Sequence, residues 1–260
     1  MAEPRPLFAA EGVGRSFGRR QVLKNASIWA WPGRITVLLG RNGCGKSTLL
    51  RCAVGQLRMD HGAVHFDGVS TLRPRLHRLA HRGLFFLPEI GMLPRRGRLR
   101  THLAAAASGV AGGAERMAAA LDELGLAAVL DNRTGQLSGG ERRRADLAVA
   151  LIRAPRCLLA DEPFTGIQPN GQELVARTLR RLADGGAALV VTGHEVPLLL
   201  PLADQVVWMS AGTTHGLGSP EAAAAHDQFR REYLGPNAAT GLRPPSGSDS
   251  PAPGGWSRPR

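Results

Sequence analysis

The residues with the clearest chemistry are Gly40, Arg41, Asn42, Gly43, Cys44, Gly45, Lys46, Ser47 and Thr48. Their spacing is G-x-x-x-x-G-K-[ST], at which backbone N–H groups close around the phosphates of a nucleotide. The glycines keep Cβ atoms clear of the anion, and the N–H groups of a new helix turn positive charge toward it. Lys46 offers a compact charge to the β- and γ-phosphates, and the Ser47 hydroxyl a ligand to Mg²⁺. Of the 33 basic residues only Lys24 and Lys46 are lysines. A chain that otherwise writes arginine thus keeps an ammonium where a point charge is needed. Cys44 shares the helix start, where a thiol pKa is expected to fall and reactivity to rise.

A phosphate loop needs a strand that ends at it and a helix that begins from it. Ile35–Leu39 is a short apolar run, expected as a buried strand, and Lys46–Val54 has helical apolar spacing. Residues 7–34 form a β-rich opening, with Phe17 in a glycine-flanked loop and Trp29 and Trp31 in the core. His61–Gly68 alternates and ends in Asp-Gly, a strand and turn. Leu72–Arg82 is expected as a short basic helix and Gly83–Leu87 as a buried strand stopped by Pro88. Residues 101–130 are alanine-rich with helically spaced leucines. Strands are expected at Cys157–Ala160, Ala187–Val191, Gln205–Met209 and Thr213–Leu217, and helices at Asn170–Ala183 and Pro220–Leu234. Strands alternating with helices imply a mainly parallel α/β sheet.

Composition bounds the rest. The 260 residues are 43% hydrophobic, enough for one large domain or two small ones. No apolar run approaches the roughly 18 residues of a membrane span. The start, Met1-Ala-Glu-Pro-Arg-Pro6, lacks the apolar core of a signal peptide. Three cysteines without metal-ligand spacing are expected as reduced thiols. A net charge of +12 suggests nucleic acid or an anionic membrane surface. The bases are scattered and carry no nucleic-acid-binding motif, so no nucleic-acid partner is expected.

Further pieces follow the loop in fixed order. Leu137-Ser-Gly-Gly-Glu141 opens a helix; Cys157-Leu-Leu-Ala160 delivers Asp161 and Glu162; Val191-Thr-Gly-His194 ends the next strand. With Gly40–Thr48 these make residues 7–235 resemble the ATP-binding cassette of ABC transporters. The pattern is most similar to the short cassettes of branched-chain amino-acid uptake and lipopolysaccharide export. The resemblance implies a P-loop NTPase of the α/β class: a RecA-like, mainly parallel sheet core, an antiparallel β subdomain and an inserted α-helical subdomain. Residues 1–235 would be the ATP-binding domain, with the helical subdomain at about 89–154. The Pro-, Gly- and Ser-rich residues 236–260 are expected as a disordered tail.

By the same resemblance Asp161 joins Ser47 on Mg²⁺, Glu162 is the general base and His194 holds the γ-phosphate and the attacking water. Leu137, Ser138, Gly139, Gly140 and Glu141 form the signature that meets ATP bound by a second chain; Ser138 is equally an ordinary helix cap. Phe17 would stack on adenine. Glu89 stands where the family usually has Gln, and Gln168 where it often has Asp. The cluster Arg95, Arg96, Arg98 and Arg100 either docks on a membrane subunit or is a solvated basic loop. ATP and Mg²⁺ are the implied ligands. The implied partners are a second ATPase subunit and transmembrane permease subunits on separate chains. The implied place is the cytoplasm, peripheral on the inner face of the cell membrane. The alternatives are a soluble single-cassette ATPase of the iron–sulfur assembly type and a regulatory nucleotide binder without turnover.

Overall fold

The computed structural model describes residues 5–234; the expected tail lies outside them. Strands are β1 (Phe8–Phe17), β2 (Arg20–Ala30), β3 (Ile35–Leu39), β4 (His61–Phe66), β5 (Val69–Thr71), β6 (Leu84–Leu87), β7 (Cys157–Ala160), β8 (Ala188–Gly193), β9 (Gln205–Ser210) and β10 (Thr213–Gly218). Helices are α1 (Lys46–Ala53), α2 (Leu76–His81), α3 (Leu99–Ala107), α4 (Gly113–Glu123), α5 (Gly139–Arg153), α6 (Pro169–Asp184), α7 (Val196–Leu199), α8 (Pro220–Ala225) and α9 (Asp227–Phe229).

The strands form one curled sheet in the order β5-β4-β1-β2-β10-β9-β3-β8-β7-β6. The half from β5 to β2 is antiparallel. In the other half β9, β3, β8, β7 and β6 are mutually parallel, with β10 antiparallel on β9. The halves join at a single pair, Thr213 with Asn25. Every residue of β3, β7 and β8 is buried, as parallel strands covered on both faces must be. Period-two alternation splits their side chains between two cores. Val37, Leu39, Leu189 and Val191 face α5 and α6, whereas Leu38, Ala188 and Val190 face α1. The helices α3, α4 and α5 lie between β6 and β7 in the chain and pack on one another.

Four expectations are corrected. Phe17 is the last residue of β1, not part of a loop. Trp29 and Trp31 are half-buried, and Trp29 Nε1 donates to Glu11 Oε1 at 3.1 Å; the indole N–H keeps the ring at a wet edge. The helix expected at Leu72–Arg82 forms only at Leu76–His81, because Pro74 bars its start. The helix expected at Pro220–Leu234 breaks at His226, whose extended backbone and ring Nδ1 cap the next turn at Phe229 N.

Candidate functional site

β3 ends at Leu39 and hands the chain to the loop at the carboxyl end of the parallel strands. Gly40 has no room for a side chain, since a Cβ there would lie 2.6 Å from Cys44 Sγ and 2.9 Å from Met209 O. Gly45 takes φ 116°, a conformation open to glycine, and precedes α1. The turn closes through Cys44 N to Arg41 O and Leu49 N to Gly45 O. Arg41 also reaches outward, its Nη2 donating to Glu232 O at 3.2 Å.

Lys46 is 5% exposed, and its Nζ donates to Gly40 O at 2.7 Å. The same ammonium lies 3.2 Å from Glu162 Oε1. The other oxygen of that carboxylate, Oε2, is 3.1 Å from His194 Nδ1. Glu162 therefore bridges the phosphate-loop lysine and the histidine, which come from three separate segments of the chain. Its backbone sits at φ 47°, a left-handed conformation that costs a non-glycine residue about 1 kcal/mol or more.

Ser47 Oγ donates to Asp161 Oδ1 at 3.0 Å. Thr192 Oγ1 donates to that oxygen at 2.8 Å and accepts from Glu162 N at 2.9 Å. Thr192, on β8, was not picked out by sequence reasoning; a lone polar residue inside an apolar strand was the signal. Burial pushes the Asp161 carboxyl up, against the Thr192 and Ser47 hydrogen bonds that pull it down, and Glu89 nearby adds to the rise. Asp161 is fully buried, and its Oδ2 has no hydrogen-bond partner among the described residues. A buried anionic oxygen without a donor fits a hard cation, and Ser47 beside it adds a second oxygen. No cluster of three or more His, Cys, Asp or Glu among the described residues could hold a metal alone. Phosphate oxygens and water must complete such a site, as is usual for Mg²⁺.

Cys44 departs from expectation. Burial raises its thiol pKa, and Lys46 with local N–H donors only partly offsets this. The helix start is outweighed because the half-buried sulfur is packed beside Gly40. All three cysteines are free. Phe17 is 45% exposed, with the Arg15 guanidinium 4.7 Å from its ring centre.

The signature stands apart. Ser138 caps α5: its Oγ and backbone N both donate to Glu141 Oε2, at 2.7 and 2.8 Å, and Glu141 N returns to Ser138 Oγ at 3.3 Å. This capping box explains glutamate at the last signature position, and the Ser138 bonds hold its carboxyl below the usual range. Ser138 and Gly139 are exposed and Gly140 half-exposed. Gln168 is the N-cap of α6 through its backbone, without a side-chain cap bond.

Sequence reasoning also missed Arg143 and Asp146 on α5. Both are buried, at 4% and 0% exposure; Arg143 bonds to the loops that carry Glu89 and Glu162, and Asp146 to the one that carries Glu89. A cavity of about 680 Å³ lies elsewhere. Pro32, Arg156 and Ala187 on its wall precede β3, β7 and β8, at the strand ends opposite the phosphate loop, where open α/β sheets do not place their ligands.

Comparison with known proteins places this geometry. The family model for ABC transporters matches residues 23–165. The lipopolysaccharide export system ATP-binding protein LptB of Haemophilus influenzae is 30% identical over 88% of this chain and 97% of its own length. A probable ABC transporter ATP-binding protein of Azorhizobium caulinodans is 32% identical, covering 88% and 83%. A zinc import ATP-binding protein, ZnuC, of Alcanivorax borkumensis is 31% identical, covering 91% and 87%. Among solved structures, the ABC cassette MJ1267 in its ADP conformation superposes with a TM-score of 0.76 at 21% identity, covering 89% of this chain and 99% of that one. A bacterial Atm1-family exporter with ATP bound gives 0.78 at 20% identity, covering 91% of this chain and 43% of that one. The iron–sulfur assembly alternative finds no support in these matches. The chain belongs to the ABC transporter family, whose cassettes bind and hydrolyse ATP.

Proposed function

We propose that two ATPase subunits, at least one of them this chain, sandwich two MgATP. Each nucleotide lies between Gly40–Thr48 of one protomer and Ser138–Gly140 of the other. The observation that carries this reading is Glu162, held between Lys46 and His194 at 3.2 and 3.1 Å. Lys46 balances the β- and γ-phosphate charge. Glu162 takes the proton of the attacking water, and His194 orients the γ-phosphate and that water. Ser47 and the free Oδ2 of Asp161 would hold Mg²⁺, which supplies charge neutralisation between the phosphates when bound. Phe17, exposed at the end of β1, offers the adenine a stacking face. Glu89 faces the same end of the sheet and raises Asp161, which suits a ligand to the ion or its water rather than to phosphate.

The chain works with transmembrane permease subunits on separate chains, from the cytoplasmic face of the membrane. Among the described residues no helix is long and apolar enough to cross a bilayer. Ile90 and Met92 are exposed, at 75% and 38%, beside Arg95, Arg96 and Arg98. Arg100 is paired with Asp131 at 2.9 Å. This mixed apolar and basic rim suits a membrane partner near anionic headgroups. Relatives of similar identity include one named for lipopolysaccharide export and one for zinc import, so identity at this level defines the motor and not the cargo.

Lys46→Ala tests the loop. Fluorescent ATP should bind at least about 10²-fold more weakly and turnover should vanish, and Lys46→Arg should not rescue either. Near-normal hydrolysis by either variant would remove Lys46 from the phosphate site.

A further inference from the structure

Arg143 is buried on α5, five residues beyond the Ser138 cap. Each of its three donor nitrogens reaches a different backbone carbonyl. Nε bonds Pro163 O at 3.1 Å, Nη2 bonds Asp161 O at 2.8 Å and Nη1 bonds Pro88 O at 2.5 Å. A guanidinium is a rigid planar fork, so it fixes these three carbonyls relative to one another. Two of them flank Glu162, whose φ of 47° is sparsely populated for a residue with a side chain. Thr192 Oγ1 holds the Glu162 N–H from the other side. The third carbonyl, Pro88 O, immediately precedes Glu89. One turn along the same face of α5, Asp146 Oδ1 accepts from Met92 N at 3.1 Å and Leu93 N at 3.2 Å. One helix face thus grips both the 161–163 turn and the 88–93 loop.

We propose that Arg143 is a positioning residue for Glu162. It fixes the left-handed backbone that aims the carboxylate between Lys46 and His194, and it ties that aim to α5, the helix that presents Ser138–Gly140. A shift of α5 against a partner chain then moves Glu162 and the Glu89 loop with it. The inference rests on Glu162 being the general base.

The test is a cycle on the full-length chain with Arg143→Lys, Glu162→Gln and the double variant. The readouts are fluorescent-ATP affinity, kcat and KM, single-turnover hydrolysis and melting temperature. Lysine keeps the charge and can serve one or two carbonyls, but it cannot hold all three in one plane. Arg143→Lys should bind MgATP within about threefold of wild type and lose about 10²-fold in kcat, the scale of a misplaced reacting group. On the Glu162→Gln background it should change the residual rate less than about threefold, because groups that act as one unit are not additive. If Arg143→Lys melts early, Arg143→Gln is held to the same criteria. A kcat near wild type, or a full second loss on the Glu162→Gln background, overturns the proposal while leaving Glu162 as base. Hydrolysis by Glu162→Gln alone at the wild-type rate removes the base reading and this proposal with it.

Discussion

The two ends of the proposed nucleotide sandwich are built in opposite ways. Around Gly40–Thr48, polar side chains meet across the sheet from distant segments: Lys46 with Glu162, Ser47 and Thr192 with Asp161, Glu162 with His194. Most of these groups are buried, and each fixes the next. At Ser138–Glu141 the hydrogen bonds of Ser138 and Glu141 close within the helix's first turns, and the glycines face outward. The first end is assembled by the fold. The second is finished locally and offers its surface to another molecule. A self-capped helix start needs no partner for its own stability, so its exposed glycines are free to serve one.

The contrast can be broken most forcefully at Gly140. A Cβ added there meets nothing within 4 Å, and the position lies in the first turn of α5, where an acidic side chain is welcome. Gly140→Asp should therefore leave the melting temperature unchanged while lowering hydrolysis by about 10²-fold. Mixing Gly140→Asp chains with Lys46→Ala chains should restore activity, because one site of the mixed dimer keeps both intact ends. If mixing restores nothing, the two ends do not serve one site across chains.

A smaller effect is expected at Asp161. Its folded pKa is raised by burial, so between its ordinary and its folded value the native state holds the extra proton. Stability conferred by that proton is lost as pH rises through the window. Asp161→Asn is neutral throughout. Without nucleotide it should melt above wild type near pH 8, and the gap should close as the pH falls to the ordinary aspartate range. Hydrolysis should nevertheless be lost with the Mg²⁺ ligand. A lower melting temperature for the variant at pH 8 would show that the charge is stabilised by something other than the cation.

The smallest effect is at Glu141. Glu141→Ala opens the capping box and should cost about 1 kcal/mol, or about 2–4 °C by calorimetry. Glu141→Gln can still accept from Ser138 and should lose less. Equal melting temperatures for all three would mean that the box does not hold α5.

What could be read in the sequence was what neighbouring residues decide. The loop, its strand and helix, the capped start at Ser138 and the apolar strands β3, β7 and β8 are local patterns, and they appear where spacing placed them. Arg143 was hidden inside Arg142–Arg144. Consecutive helical residues point about 100° apart, so one arginine of three turns inward, and only the stripe Arg143, Asp146, Leu147 and Ala150 reveals which. Thr192 gives no local signal of its role, because its two partners, Asp161 and Glu162, come from another segment. Cys44 departs from the local pattern because packing beside Gly40 outweighs the field of the helix start. The break at His226 depends on ring contacts, with Trp208 6.1 Å from Phe229 and Phe229 stacked on Tyr233, that hold the last turns against the sheet.

The central claim is that Glu162 takes the proton at a site completed by a second chain. Glu162→Gln keeps the shape and removes the acceptor, a loss of about 10²–10⁴ in rate. Size-exclusion chromatography of this variant should show a dimer in MgATP and a monomer in MgADP, since Lys46 and His194 still hold the γ-phosphate against Ser138–Gly140 of the partner. A variant that hydrolyses MgATP at the wild-type rate, and elutes alike in both nucleotides, would contradict the account.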